Sequence, residues 1–266
     1  MRADVLTSGI WQTNSTVLSH RGECLVVDPA YFPRELAAIS ARVEELGRAR
    51  AVVFTHGHWD HVMGHTAYPA APVWLHEGLA RDIRADAPRA AKYLAEAAEF
   101  DSRWYVPRPQ GHHWPQALVG LAHEERLELG GAPARALHLP GHSPDGLALV
   151  VEPLGLLLVG DYLSPCEIPF VEDAAQYRAT LRRLIAAISD AAREVIPGHG
   201  PRLTAAEALA IAREDLGYVE QLLDAAARGD AAGAAALPWP RAEGVVGMRD
   251  AHLENCAKLG LAMAPP

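Results

Sequence analysis

The chain has 266 residues, of which 50% are hydrophobic and 21% charged, and its net charge is −9 with histidine neutral. This composition predicts a soluble globular protein with a sizeable core, formed by one large domain or by one domain and a small appendage. The only lysines are Lys92 and Lys258, and the arginines are scattered. We therefore expect a small-molecule substrate rather than long nucleic acids.

The cysteines and the N-terminal segment indicate in which cellular compartment the protein is expected. Cys24, Cys166 and Cys256 are odd in number and far apart, which argues against a disulfide framework and favours a reducing compartment. The first residues lack the continuous apolar segment of a signal peptide, and no apolar run reaches the ~20 residues of a membrane span. We expect a cytoplasmic protein without a membrane partner, and the sequence leaves a homodimer open.

The N-terminal part predicts a β-hairpin, then a helix, then a buried strand. Residues 14–20 and 23–30 are strand-like, with Gly22 in the turn between them. Residues 32–47 have helical apolar spacing that ends at Gly47. The apolar segment 50–55 then predicts a buried strand.

The middle of the chain is less regular. A helix is expected from about His61 and a short strand at 71–76. Residues 78–117 contain helical pieces followed by prolines and aromatic residues. We interpret this segment as an insertion that covers a site.

The last part alternates strands and helices and then becomes helical. Strands are expected at 134–141, 147–153 and 155–161, a helix from about Val171 to Ala192, and a last strand at 194–196. Beyond 203 the chain is rich in alanine and helical, with a final helix at 248–261. We predict a catalytic domain over 1–203 and a C-terminal helical extension over 204–266. Helices flanking two packed sheets would accommodate this order.

Metal-capable side chains follow the strand that ends near Thr55. In the segment HGHWDH, His56 and His58 are two residues apart, and Asp60 and His61 come next. Histidine and carboxylate are the usual ligands of zinc sites that also bind water. His56 and His58 could share one metal, while Asp60 and His61 are free to reach a second.

Three further polar residues end apolar runs beside glycine. They are His142 in PGHS, Asp161 in VGD and His199 in PGHG. Glycine allows a tight bend at such places, and burying these groups without a partner is costly. A bound metal would satisfy them.

In this order, the segments THGHWDH, PGHS, GD and PGHG resemble the signature of the metallo-β-lactamase-fold superfamily. The resemblance implies an α+β fold, the four-layer αββα sandwich. It also implies a structural role for Asp28. The implied ligand set is His56, His58 and His142 for one metal, Asp60, His61 and His199 for the other, and Asp161 as the bridge.

The complete ligand set looks most like that of the glyoxalase II (hydroxyacylglutathione hydrolase), lactonase and thioesterase branch. We therefore expect two zinc ions per chain, with iron or manganese as alternatives, and a metal-bridging hydroxide that attacks an ester-like carbonyl. A thioester is favoured over a lactone. Asp60 has a second expected role as proton acceptor or donor. Tyr162 or Ser164 could hydrogen-bond a substrate carbonyl, or could simply pack the loop.

Other chemistries stay open. Persulfide dioxygenases resemble these hydrolases and use one iron, which His56, His142 and Asp161 would hold here. Nucleases of the superfamily cleave phosphodiesters, and the acidic charge of this chain leaves only a small phosphodiester as a substrate of that kind. A binding module that has kept its metals but lost turnover is a further alternative.

Overall fold

The computed structural model describes residues 1–242 and 245–261. They form two compact units. Unit 1 comprises residues 1–138 and 145–154, and unit 2 comprises residues 139–144 and those from 155 onward. The predicted boundary after residue 203 stays a prediction.

Unit 1 contains a six-stranded sheet whose strands follow in chain order. Its strands are β1 (Arg2–Thr7), β2 (Asn14–His20), β3 (Glu23–Val27), β4 (Arg48–Val53), β5 (Val73–His76) and β6 (Leu118–Leu121). The pairs β1–β2 and β2–β3 are antiparallel, and β3 to β6 are parallel. The predicted hairpin is confirmed as β2–β3, whereas β1 and β6 were not predicted.

Four α-helices belong to unit 1: α1 (Pro33–Leu46), α2 (Trp59–Val62), α3 (Glu77–Arg84) and α4 (Pro88–Trp104). Helix α1 ends at Gly47 as predicted. This glycine has φ 146°, and a Cβ there would lie 2.0 Å from the carbonyl oxygen of Gly22. The helix expected near His61 is only one turn long and continues as the 3-10 helix Met63–Ala67. The helical pieces of the predicted insertion are α3 and α4.

Three more strands of unit 1 form an antiparallel set: β7 (Arg126–Leu129), β8 (Ala132–His138) and β9 (Leu147–Val151). The core of the unit lies between the first sheet and its helices, where apolar side chains are withdrawn from water. Its buried members include Val17, Val26, Val52, Phe54 and Leu75 from the strand regions and Ile39 and Val43 from α1.

The described residues of unit 2 form three strands and four α-helices. The strands are β10 (Leu156–Leu158), β11 (Glu194–Ile196) and β12 (Leu203–Thr204), and the helices are α5 (Ala174–Ala191), α6 (Ala205–Arg228), α7 (Ala231–Ala235) and α8 (Met248–Lys258). The prediction that 194–196 is the last strand is wrong, because β12 pairs antiparallel with β11. Helix α5 begins later than predicted, since the Asp173 side chain accepts a hydrogen bond from the Gln176 backbone N–H and caps it.

Helix α6 begins with a capping box, in which Thr204 and Glu207 satisfy each other's backbone N–H groups. It packs against α5 within unit 2. Among the helices that the structure describes, none combines the length and the apolar character needed to cross a membrane.

Candidate metal centre

The first donors of unit 1 lie on the loop that follows β4. His56 is 2% exposed, and its Nε2 lies 3.0 Å from Nδ1 of His58. The hydroxyl of Thr55 lies 3.2 Å from the other ring nitrogen of His56. The loop is held tightly, because a Cβ on Gly57 would lie 2.6 Å from the ring of Tyr93 on α4. Two ring nitrogens therefore lie close together on this loop, and their role as metal ligands stays a prediction.

Asp60 and His61 lie in the single turn of α2. Both are buried, and Nε2 of His61 lies 3.3 Å from Oδ2 of Asp60. The hydroxyl of Thr13 donates to the same carboxylate oxygen over 3.1 Å. This turn thus presents a second pair of donor atoms, and Thr13 orients its carboxylate.

Asp28 connects both donor segments of unit 1. Its carboxylate accepts hydrogen bonds from the backbone N–H and the hydroxyl of Thr55, and its Oδ2 lies 3.0 Å from Nδ1 of His61. A proton on Nδ1 of His61 leaves Nε2 as an electron-pair donor, which is the usual arrangement behind a metal-binding histidine. Asp28 itself has φ 46°, a conformation that aspartate tolerates better than most residues. These contacts fit its expected structural role.

Asp145 is a buried acid near this loop that the sequence analysis missed. Its side chain is fully buried, and its Oδ1 lies 3.7 Å from a guanidinium nitrogen of Arg89. Burial raises the pKa of this carboxyl, while His56 and Arg89 oppose that shift. The only signal in the sequence was an acidic residue three positions after His142, and nothing local connects it to Arg89.

Unit 2 supplies His142 from a tight turn. Gly141 has φ 130°, and a Cβ there would lie 2.4 Å from backbone atoms of Tyr177. Nδ1 of His142 lies 3.0 Å from the carbonyl oxygen of Phe170. A proton shared with this carbonyl leaves Nε2 as the donor atom, as for His61.

Asp161 lies between two histidines of unit 2. Its Oδ2 is 3.3 Å from Nε2 of His142, and its Oδ1 is 3.3 Å from Nε2 of His199. Gly198 allows this position, because a Cβ there would lie 2.1 Å from Oδ1 of Asp161. The carboxylate thus presents one oxygen to each histidine.

Tyr162 does not expose its hydroxyl. The residue is 2% exposed, and its hydroxyl donates to the carbonyl oxygen of Pro140 and accepts from the backbone N–H of His142. Burial raises its pKa. These bonds hold the turn that carries His142, and the expected catalytic role of Tyr162 stays a prediction.

Ser164 is also buried, and its hydroxyl contacts Cys166 at 3.3 Å.

Other histidines of unit 1 serve packing and hydrogen bonding. His65 is buried, its Nε2 lies 2.9 Å from the carbonyl oxygen of His113, and burial lowers its pKa to about 4. His112 contacts the carboxylate of Asp101 at 2.8 Å. Asp101 also accepts hydrogen bonds from Tyr31 and Arg108, so this cluster secures the segment that follows α4.

The donor geometry within each unit fits a tetrahedral metal ion. Two ligand atoms bound at 2.0–2.2 Å to such an ion lie roughly 3.3–3.6 Å apart. Three of the donor pairs described above lie 3.3 Å apart, within this range, and the His56–His58 pair lies slightly closer, at 3.0 Å. Both units therefore contain histidine and aspartate groups that could hold a metal.

A model of the metallo-beta-lactamase superfamily matches residues 8–199, a range that contains all of these donors. The chain belongs to the metallo-beta-lactamase superfamily. It is 30% identical over 186 residues to a hydroxyacylglutathione hydrolase of Methylococcus capsulatus, a match that covers 68% of this chain and 60% of the relative. It is 28% identical over 174 residues to the atrochrysone carboxyl ACP thioesterase AgnL7 of Paecilomyces divaricatus, covering 65% of this chain and 46% of the relative. The chain thus matches less than two thirds of the length of either one.

A similar solved structure is that of a metallo-beta-lactamase family protein from Thermus thermophilus. It is 25% identical, has a TM-score of 0.68, and the match covers 97% of this chain and 93% of that protein. The superfamily match and this structure confirm the predicted fold class, an α+β metallo-β-lactamase fold with a C-terminal helical part.

Proposed function

We propose that this superfamily member is a dinuclear metal-dependent hydrolase that cleaves an ester-like bond, with a thioester as the first candidate and a lactone as the second. The names of the two relatives, a hydroxyacylglutathione hydrolase and an acyl carrier protein thioesterase, support thioester chemistry. Because the chain matches only part of each relative, their substrates do not transfer directly.

The observation that carries this proposal is the position of Asp161. Each oxygen of its carboxylate lies 3.3 Å from the Nε2 atom of a different histidine, His142 or His199. With a different oxygen facing each histidine, the carboxylate can bind one ion through each oxygen. This arrangement supports a carboxylate that bridges two ions, which is the arrangement of two-metal hydrolytic sites.

The proposed ligands of the two ions follow the superfamily signature. His56, His58 and His142 would hold one ion, Asp60, His61 and His199 would hold the other, and Asp161 would be a ligand of both. Asp28 and the carbonyl oxygen of Phe170 hold the proton-bearing nitrogens of His61 and His142. Each ring therefore offers Nε2 in a fixed orientation.

When bound, a pair of ions at such a site supplies a water activated near neutral pH and a charge that polarises the substrate carbonyl. The proton transfers of the reaction are assigned to a side chain of the protein. Asp60 accepts a proton as the water attacks and returns it to the departing thiolate or alkoxide. Thr13 donates to Oδ2 of Asp60 and keeps that carboxylate in place for both steps.

We propose zinc as the native metal, with iron or manganese as alternatives that the same donors accept. The substrate is proposed to be a small molecule, because the acidic chain with scattered arginines does not suit long nucleic acids. We also propose that the protein is cytoplasmic and that it forms a homodimer.

The test begins with metal content, measured by mass spectrometry on protein purified without added metal. We expect about two ions per chain in the wild type and about one or fewer in Asp161→Asn. Thioester hydrolysis should fall more than about 100-fold in that variant, beyond the loss typical of residues that only orient ligands. Asp190→Asn, a change at an exposed position of α5, is the matched control and should behave as the wild type.

Two results would contradict the proposal. One is normal turnover of thioesters and lactones by a correctly folded Asp161→Asn variant. The other is a single iron per chain together with oxygen consumption on a persulfide, which would make the protein a sulfur dioxygenase.

A further inference from the structure

An aromatic groove of about 690 Å³ lies in unit 1, beside the segment that carries His58 and Asp60. Drug-sized ligands occupy cavities of roughly 300–1,000 Å³, so this volume suits a small organic group. Its apolar walls come from three separate parts of the unit: the loop before β2, the residue that precedes α1, and helices α2 and α4. The aromatic lining residues are Trp11, Phe32, Trp59, Phe100 and Trp104.

Trp59 connects this groove with the proposed metal ligands. It lies between His58 and Asp60 in the chain, and consecutive Cα atoms are only about 3.8 Å apart. Its ring contacts the rings of Trp11 at 5.3 Å and Phe100 at 4.6 Å between centroids. The groove therefore lies beside the chain segment that carries these two proposed ligands.

Trp11 is exposed to solvent, yet its loop is held rigidly. Trp11 is 56% exposed and has φ 45°, a conformation that tryptophan seldom adopts without support. The support comes from Thr13, whose N–H and hydroxyl both donate to the carbonyl oxygen of Ile10. The same hydroxyl lies 3.1 Å from Oδ2 of Asp60, so its one proton is shared between the two acceptors. The loop thus fixes an exposed indole next to a proposed metal ligand.

The opposite wall combines an aromatic ring with acidic groups. Trp104 is 61% exposed at the end of α4, and the guanidinium of Arg103 lies 5.7 Å from its ring centroid. Glu96 and Glu99 also line the groove, and Glu96 is paired with Lys92 at 3.5 Å. Since Arg103 and Glu99 carry opposite charges, the lining has no excess positive charge that would attract a negatively charged occupant.

We infer that this groove binds an uncharged aromatic acyl group of the substrate, an inference that rests on the proposed hydrolysis. Aromatic pairs gain about 0.5–1.5 kcal/mol beyond the burial of their area, which favours an aromatic ring over an alkyl chain of equal size. A lining without excess positive charge offers no attraction to an acyl group that ends in a carboxylate, and Glu99 repels such a group. The substrate class is therefore an aryl thioester or aryl ester.

The kinetic test uses three thioesters of N-acetylcysteamine that differ only in the acyl group: 2-naphthoyl, acetyl and succinyl. Trp11→Ala and Trp104→Ala should each lower kcat/KM for the naphthoyl thioester by about 5- to 10-fold, mainly through KM, the range expected for losing one aromatic contact. The acetyl thioester should change less than about twofold. Tyr105→Ala is the matched control, because Tyr105 is 92% exposed and follows Trp104.

The charge of the groove is tested separately. Glu99→Gln should raise kcat/KM for the succinyl thioester by about threefold at low ionic strength, and salt should remove this gain. Equal losses for the naphthoyl and acetyl thioesters in both tryptophan variants would overturn the inference.

Binding without turnover separates this inference from the proposed function. Calorimetric titration with 2-acetylnaphthalene, a neutral ketone that cannot be hydrolysed, should show weaker binding by Trp11→Ala and Trp104→Ala, and unchanged binding by Tyr105→Ala. If no thioester or ester is hydrolysed but this pattern holds, the proposed function fails and the aromatic site stands. If the wild type does not bind the ketone, the aromatic site fails whatever the turnover.

Discussion

Arg89, near the start of α4, pairs with the fully buried carboxylate of Asp145, with 3.7 Å between Nη1 and Oδ1. Arg89 also contacts Asp82 at 2.5 Å, on the side of the guanidinium that faces water. The charge of Asp145 interacts with His56. Gly57, the next residue, packs against Tyr93 of α4. Helix α4, interpreted from the sequence as part of an insertion, thus supports the loop that carries two proposed metal ligands.

Arg89→Met should therefore destabilise the protein by about 2 kcal/mol, because it leaves a buried carboxylate without its cation. Urea denaturation at neutral pH measures this change, and metal content should fall in the same variant. Asp82→Asn is the control: it removes only the partly exposed partner and should cost less than about 1 kcal/mol. Equal effects of the two substitutions would show that Asp145 does not depend on Arg89.

Asp28→Asn should weaken metal binding by about 10- to 100-fold, the range for residues that orient a ligand. The amide has a single acceptor oxygen, so it cannot replace both carboxylate oxygens, which together accept from the N–H and hydroxyl of Thr55 and from the Nδ1–H of His61. Competition with a chromogenic chelator measures the affinity. Asp86→Asn is a matched control, since Asp86 also has a positive φ of 49° but is exposed on the surface. An unchanged metal affinity in Asp28→Asn would show that Asp28 does not orient His61 for metal binding.

Asn255→Ala tests the role of the C-terminal helix in unit 2. The buried Asn255 side chain accepts from the N–H of Val171 and donates to the carbonyl oxygen of Pro169. Phe170, between them, offers its carbonyl oxygen to His142. We expect a loss of about 2 kcal/mol in stability, since buried backbone groups lose their partners, and a lower kcat.

The matched control for this prediction is Glu254→Ala, which changes the neighbouring exposed residue of α8. It loses only a surface ion pair with Lys258 and should be nearly neutral. If Asn255→Ala loses stability but keeps its kcat and metal content, α8 supports the fold of unit 2 without affecting His142.

The stability of the protein should decrease as the pH falls from 7.5 to 5. Burial holds the pKa of His65 at about 4, below its value of about 6.5 in the unfolded chain, so the unfolded state binds the extra proton in this interval. The expected contribution is about 2 kcal/mol, fully present above pH 6.5 and lost toward pH 4. Urea denaturation at several pH values should show a shallower dependence in His65→Phe. His123→Phe, at an exposed position that does not contact His65, should keep the wild-type slope.

The hairpin, helix α1, strand β4 and the order of the proposed ligands followed from local patterns. These patterns are local, because each involves residues that are neighbours in the chain. They are the alternation of apolar residues, the glycine after a helical segment and the histidines that follow a buried strand. The short strands β1, β6, β7 and β12 were not predicted, because a few residues carry too weak a periodic signal and are recruited by pairing with distant strands.

By itself, the sequence determined the superfamily, the kinds of donor atoms and their places at strand ends, because these are properties of residue type and spacing. Only the tertiary structure showed that Arg89 lies beside Asp145, that Asn255 holds the segment around Phe170, and that Trp11 and Trp104 line one groove. These residues are far apart in the chain. Their proximity depends on how loops and helices pack, and no local pattern records that packing.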